Sequence, residues 1–305
     1  MATRSDDRRP IMVSACGRTH RGRVRSDNQD CLLVADLADG TLEAHTADEA
    51  RAAAVVGPVS FELSAQGAIL LVADGMGGRA GGARASALAV TAVQHVMADG
   101  KAGADGGDPD DFVLRLRRAL EEANRAIHDE AAKDDQLRGM GTTATLAGLR
   151  DDAVYLAQVG DSRAYLVRAG SVTRLTRDQS LVQDLIDSGV LDEAEAHTVR
   201  RNVILQALGV GPSVEPEVTY HELRKDDVLL LCSDGLSQVV ADEEILEAVS
   251  QSGDCLTMCD RLVGLANDRG GPDNVTVLVA RVDGDGLEHA LGTEGVGRRV
   301  WEAGR

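Results

Sequence analysis

Residues 68–82 read AILLVADGMGGRAGG. The first six are apolar, as in a strand buried on both faces, where the run is continuous and does not alternate. It ends in Asp74, and five of the next eight residues are glycine. A core strand gains nothing from a carboxylate at its end: an ionised one needs a counter-charge there, or its pKa rises until it is neutral. Asp234 repeats the pattern after VLLLCS, and neither Asp has a Lys or Arg beside it in sequence. Asp273 stands just before the strand-like stretch NVTVLVA, and Asp161 lies in the turn of LAQVGDSRAYLV. Four such acids, converging on one rim, repel one another unless a divalent cation lies among them. An all-oxygen set without a His or Cys cluster points to Mg²⁺ or Mn²⁺ and away from zinc. Gly75, lacking a Cβ, lets the chain turn sharply enough for its carbonyl to join such a site. Asp39, Asp99, Asp105, Asp283 and Asp285 also precede glycine, but in polar surroundings, and read as turns.

Outward from this stretch the chain divides into strands and helices. Two short strands flank the polar loop GRTHRGRVRSDNQD, residues 17–30. In it Arg25 offers a planar fork that grips two phosphate oxygens, which Lys does not reproduce. Residues 39–66 read as an insertion between strands. An Ala-rich helix is expected over 83–98. A second follows Asp108, a helix N-cap with Pro109 at the first position and Phe112, Leu116, Leu120, Ala123 and Ile127 at helical spacing. Strands joined by tight turns follow over 141–176, with breaks at Gly160-Asp161-Ser162 and Ala169-Gly170, then a mobile excursion of short helices over 180–209. Two more buried strands are separated by helices near 243–249 and 254–268. Strands joined by hairpins, with two helical pairs set apart, give an α+β fold: two antiparallel sheets covered by helices around one core.

Composition narrows the functions. The 305 residues are 43% hydrophobic and 27% charged, as in a globular chain, and the net charge of −18 repels nucleic acid and anionic membrane. Aromatics, at 2%, are too few for a base-stacking platform. No apolar run approaches the roughly 18 residues of a membrane span. The five cysteines are odd in number and form no C-x-x-C, so neither a disulfide framework nor a zinc knuckle is indicated and a reducing, cytoplasmic setting is expected.

Taken in order, RSDNQD, VADGMGG, GTTAT, VGDSRAY, ALG, CSDGL and GPDNVTV resemble the motif series of the bacterial type 2C (PPM) metal-dependent serine/threonine protein phosphatases, over about residues 11–282. The resemblance implies a four-layer αββα sandwich, with two central mainly antiparallel sheets flanked by helices and two Mn²⁺ or Mg²⁺ ions in a cleft at the sheet edge. By position, Asp74 bridges the metals, the Gly75 carbonyl binds one, Asp234 and Asp273 complete the other, and Asp30 acts largely through water. Arg25 binds phosphate, Arg25 and Asp74 serve catalysis, and Asp161 holds a third, weaker ion. The implied reaction is hydrolysis of phosphoserine and phosphothreonine in proteins by a metal-activated water, without a phosphoenzyme. Substrates are then phosphoproteins made by a serine/threonine kinase. The implied organisation is a disordered N-terminus (1–10), a catalytic domain (11–283) with an insertion at 39–66 and a flap at 176–210, and a C-terminal tail (284–305).

Three positions depart from relatives: Met76 replaces the His proposed as general acid in eukaryotic members, Gln238 replaces an Asp near the third metal, and Gln29 replaces an acidic residue. Two rival readings compete with the resemblance. Cys255 to Arg261 outlines the C-x₅-R loop of cysteine-dependent phosphatases, but Leu256, Cys259, Leu262, Val263 and Ala266 recur at helical spacing with no glycine between Cys and Arg, which favours a core helix. The other is a non-catalytic relative that binds phosphoproteins; retention of mutually repelling acids argues against it.

Overall fold

The structure, a computed structural model, describes residues 9–38, 40, 42–45, 53–99, 108–192, 203–292, 296 and 299–301. The expected disordered N-terminus lies outside them apart from Arg9 and Pro10, as does the middle of the expected flap.

Two antiparallel sheets stack face to face. In the first, β10 (Ser171–Arg174), β9 (Arg163–Arg168), β12 (Val228–Cys232), β13 (Val275–Asp283), β1 (Met12–His20) and β4 (Ala53–Glu62) lie in that order. In the second the order is β14 (Arg299–Val300), β11 (Glu217–Glu222), β8 (Ala153–Val159), β7 (Ala144–Arg150), β5 (Ala68–Met76), β2 (Asp30–Asp36) and β3 (Leu42–His45), with β6 (Gly141–Thr142) also on β5.

Alternation along β5 shows why its whole run is apolar. Ile69, Leu71 and Ala73 face the helices α1 (Gly78–Asp99) and α2 (Pro109–Ala131), while Leu70 and Val72 face the other sheet. Each fully buried Leu or Val contributes roughly 1.5–3 kcal/mol, enough together to hold a strand that ends in an uncomfortable charge. The outer face of the first sheet carries α5 (Asp242–Ser250) and α6 (Cys255–Asp268) over Cys16, Leu230, Val277 and Val279. The three buried clusters therefore separate four layers, the expected αββα sandwich.

Local chemistry sets the helix ends. Asp108 caps α2 by accepting from the Asp110 N–H, and Asp254 caps α6 by accepting from the Thr257 N–H. In α6 Cys255, Cys259, Leu262, Val263 and Ala266 are buried and Arg261 points to solvent, donating to Gln251, so the C-x₅-R outline is a core helix and no phosphate loop. All five cysteines are free and buried.

Two expectations change. The stretch 39–66, expected as an insertion between strands, contains strands itself: β4 pairs with β1 from Met12↔Glu62 to His20↔Ala53, since its half-buried alternating face still has sheet to cover. Within the expected tail, 284–305, β14 pairs with β11 and Trp301 packs on the helix-side core, its backbone N–H donating to Val218 O at 2.9 Å. Within 176–210 the described part holds one short helix, α3 (Leu181–Asp187), capped by Ser180.

Candidate metal centre

Every sequence-picked residue lies at one rim of the sandwich, because the chain crosses between sheets there. The 21–29 loop leaves β1 in one sheet and begins β2 in the other, and the 160–162 turn joins β8 to β9 across the same gap. Asp30 opens β2 directly opposite Asp74 on β5. The neighbouring Gly75 N–H bonds Gln29 O at 3.2 Å, which makes Asp30 and Asp74 the closer, non-hydrogen-bonded kind of pair, with both side chains between the sheets. Like charges in that position destabilise a sheet. From the facing sheet come Asp234, the first residue of α4 (Asp234–Ser237) after β12, and Asp273, just ahead of β13.

Burial is what sets the electrostatics. It pushes the Asp74 carboxyl well above its usual range, reinforced by the charges of Asp30 and Asp234. Asp30 rises to about 6 by burial, although hydrogen bonds from Thr276 and Ser233 oppose the rise. Asp234 rises to about 7 by burial and the charge of Asp273, and Asp161 to about 7 by burial and the charge of Asp234. Arg25 is the cation among them. It donates to Asp273 Oδ2 at 2.6 Å, and this bond, with the charges of Asp74 and Asp234, outweighs the desolvation that would lower its pKa.

The oxygens tell which groups await a partner. Asp30 Oδ2 accepts from Ser233 Oγ at 2.7 Å and Thr276 Oγ1 at 2.6 Å, whereas Oδ1 is buried without a hydrogen bond; Asp161 Oδ1 is likewise orphaned. A buried carboxylate oxygen left bare is costly, and one facing other acids is the donor a hard cation takes. Gln238 Nε2 donates to Asp234 Oδ2 at 2.5 Å. Among the described residues no three His, Cys, Asp or Glu side chains close on one point. An ion has to compete with Arg25 and Gln238 for two of the oxygens.

Glycine explains how close the backbones come. A Cβ at Gly75 would meet Gly82 O at 2.2 Å and Gln29 O at 2.6 Å, so the glycine is needed for the packing of α1 against the strand end. The sharp turn expected at Gly75 lies two residues on, at Gly77 and Gly78 with φ of 120° and 77°. Gly235 is tighter: a Cβ would lie 1.8 Å from Asn274 O, so this glycine sets the distance between the Asp234 and Asp273 segments. Of the departing residues, Gln29 donates to Gly78 O at 2.8 Å and ties β2 to the start of α1, and Met76 lines the cleft without a titratable proton.

The cleft itself, about 430 Å³, is bounded by Arg25, Asp74, Asp161, Ile204, Asp234 and Asp273 among others. A larger cavity of about 730 Å³ at the opposite pole is lined by Glu62, Asp152 and Asp285, but these are exposed and solvent screens them. Sequence reading missed Ser233, Thr276 and Asn274, which brace the acids. The signals available were a polar residue at the end of VLLLC and a Thr interrupting the apolar run of β13.

The profile of the family described as Protein phosphatase 2C matches residues 59–268. The chain is 43% identical over 215 residues to the serine/threonine protein phosphatase PstP of Mycobacterium tuberculosis strain H37Rv, covering 70% of this chain and 40% of PstP. It thus spans less than half the length of that relative. It is 33% identical to the serine/threonine phosphatase stp of Listeria monocytogenes strain EGD-e, covering 87% of this chain and 94% of stp. In three dimensions it is similar to the catalytic domain of PstP crystallised with two manganese ions, with a TM-score of 0.70, 36% identity, and coverage of 90% of this chain and 99% of that one.

Proposed function

The chain belongs to the protein phosphatase 2C family, and on that premise we propose that it hydrolyses phosphoserine and phosphothreonine in proteins with two divalent ions, Mn²⁺ or Mg²⁺. Asp74, the Gly75 carbonyl, Asp234 and Asp273 are the residues to hold them, Asp30 would act on them largely through water, and Asp161 would serve a third, weaker ion. When bound, such ions supply Lewis-acid charge and water of lowered pKa for direct attack on phosphorus. The observation that carries the reading is the set of desolvated carboxylates at one rim, two of them with orphaned oxygens.

The chain's own residues do the rest. Arg25 is exposed at the cleft, and its fork donates to the phosphate oxygens, where charge is greatest in a loose transition state. Asp273 holds that fork in place. Ser233 and Thr276 hold Asp30 through Oδ2, which leaves Oδ1 buried without a hydrogen bond on the residue opposite Asp74. Met76 has no proton to give, so protonation of the departing alkoxide falls to water in the open cleft. No helix among the described residues is long and apolar enough to cross a membrane. The five free, buried thiols support a reducing, cytoplasmic setting, and the substrates we infer are phosphoproteins made by a serine/threonine kinase.

The test is Mn²⁺-dependent hydrolysis of p-nitrophenyl phosphate and of a phosphothreonine peptide. Chelation should abolish both, and Asp74→Asn should slow both by about a hundredfold or more while circular dichroism stays unchanged. Turnover that survives chelation, or a full rate from Asp74→Asn, overturns the reading.

A further inference from the structure

Residues 203–205 form an unfinished strand beside the metal centre. The Leu181 N–H donates to Val203 O at 2.9 Å and the Leu205 N–H to Gln179 O at 2.8 Å, so the segment pairs antiparallel with 179–181 across the Ser180–Ile204 bridge. In that register the Ile204 N–H and C=O point to the opposite side. Among the described residues neither has a hydrogen-bond partner. Ile204 nevertheless lines the cleft that holds Arg25, Asp74 and Asp234. Val203 and Leu205 beside it are 38% and 55% exposed. Val210, also 55% exposed, closes on Gly141 together with Met76, so an apolar lip borders the acidic floor.

Free backbone groups next to a phosphate site, flanked by apolar side chains, are what an added strand needs: main-chain bonds give affinity and neighbouring apolar surface gives fit. We propose that the Ile204 edge receives the backbone of the phosphoprotein substrate as a short added strand, with the Ile204 N–H donating to a substrate carbonyl and a substrate N–H donating to the Ile204 carbonyl. The inference rests on the phosphatase reading. The occupant is substrate because a phosphorylated side chain reaching Arg25 and Asp74 brings its own backbone past this wall. Recognition of this kind reads an extended main chain and tolerates many side chains. It selects phosphosites in unfolded tails and loops over those inside helices, and it disfavours proline at the paired position.

The experiment uses the full chain loaded with Mn²⁺ and one phosphothreonine peptide in which each backbone amide in turn becomes an ester, which deletes one N–H without adding bulk. kcat/KM is measured beside p-nitrophenyl phosphate turnover on the same preparation. One position should lose about three- to tenfold while the others stay within about twofold of the parent peptide. Ile204→Pro, which deletes the donor on the protein side, should lower the ratio of peptide to p-nitrophenyl phosphate turnover by a similar factor; if that variant does not fold, the ester series on the unaltered protein decides alone. A flat ester series overturns the strand edge and leaves the phosphatase reading standing. Absence of Mn²⁺-dependent p-nitrophenyl phosphate turnover overturns both.

Discussion

Asp30 has no exposed surface, faces Asp74 across a strand pair, and is held from behind by two hydroxyls. Its ordinary pKa of 3.8 becomes about 6, and those of Asp161 and Asp234 become about 7. A carboxyl whose pKa is raised by folding binds its proton more tightly in the native state, so the unfolded chain carries fewer protons between the two values. Stability then falls as pH rises. The chelated protein should lose thermal stability between about pH 4 and pH 7, Mn²⁺ should remove that slope, and Asp234→Asn should reduce it. A slope unchanged by either would remove these acids as its cause. Asp74 and Asp234 were legible because an Asp after an apolar run violates the strand's own pattern, and Asp161 and Asp273 because they stand at the ends of such runs, whereas Asp30 was placed only by the resemblance. Ser233 and Thr276 were not, because a single hydroxyl in a strand is ordinary until its partner is known.

At the scale of elements, close backbone approach decides the geometry. The segments bearing Asp234 and Asp273 meet where Gly235 passes the Asn274 carbonyl. Gly235→Ala forces its Cβ into that carbonyl, and overpacking of this kind costs about 1–3 kcal/mol. We expect a lowered denaturation midpoint together with weaker Mn²⁺ binding by calorimetry; wild-type values for both would show that the segments separate freely. The caps at Asp108 and Asp254 and the buried stripes of α2 and α6 were readable from residues a few positions apart. The start of α1 was not: it begins at Gly78, five residues before the expected 83, because packing against β5 and the Gln29 bond to Gly78 O stabilise a turn that glycine propensity disfavours. Strand β4 went unread for a related reason. Its alternating face is only half-buried, and the adjoining polar composition hid it.

Across the whole molecule the last described strand closes the larger sheet. Trp301, the one tryptophan of the chain, lies half-buried over the helix-side core with the Arg117 guanidinium 5.7 Å from its ring centroid. Trp301→Ala should cost about 2 kcal/mol, roughly half of what a fully buried Trp→Ala costs, read as a lower urea midpoint with the Mn²⁺ titration unchanged; no change in midpoint would mean that the packing of Trp301 contributes nothing to the fold. The sequence by itself determined most of the buried strands and helices, and the carboxylates Asp74 and Asp234 that break their pattern, because periodicity and capping act over a few neighbouring residues. Only the tertiary structure decided that Asp30 meets Ser233 and Thr276, 203 and 246 residues away, that Arg25 settles on Asp273, and that among the described residues the Ile204 edge has no partner strand on its outer side. Which strand ends share a rim depends on how two sheets stack, and no local pattern carries that information.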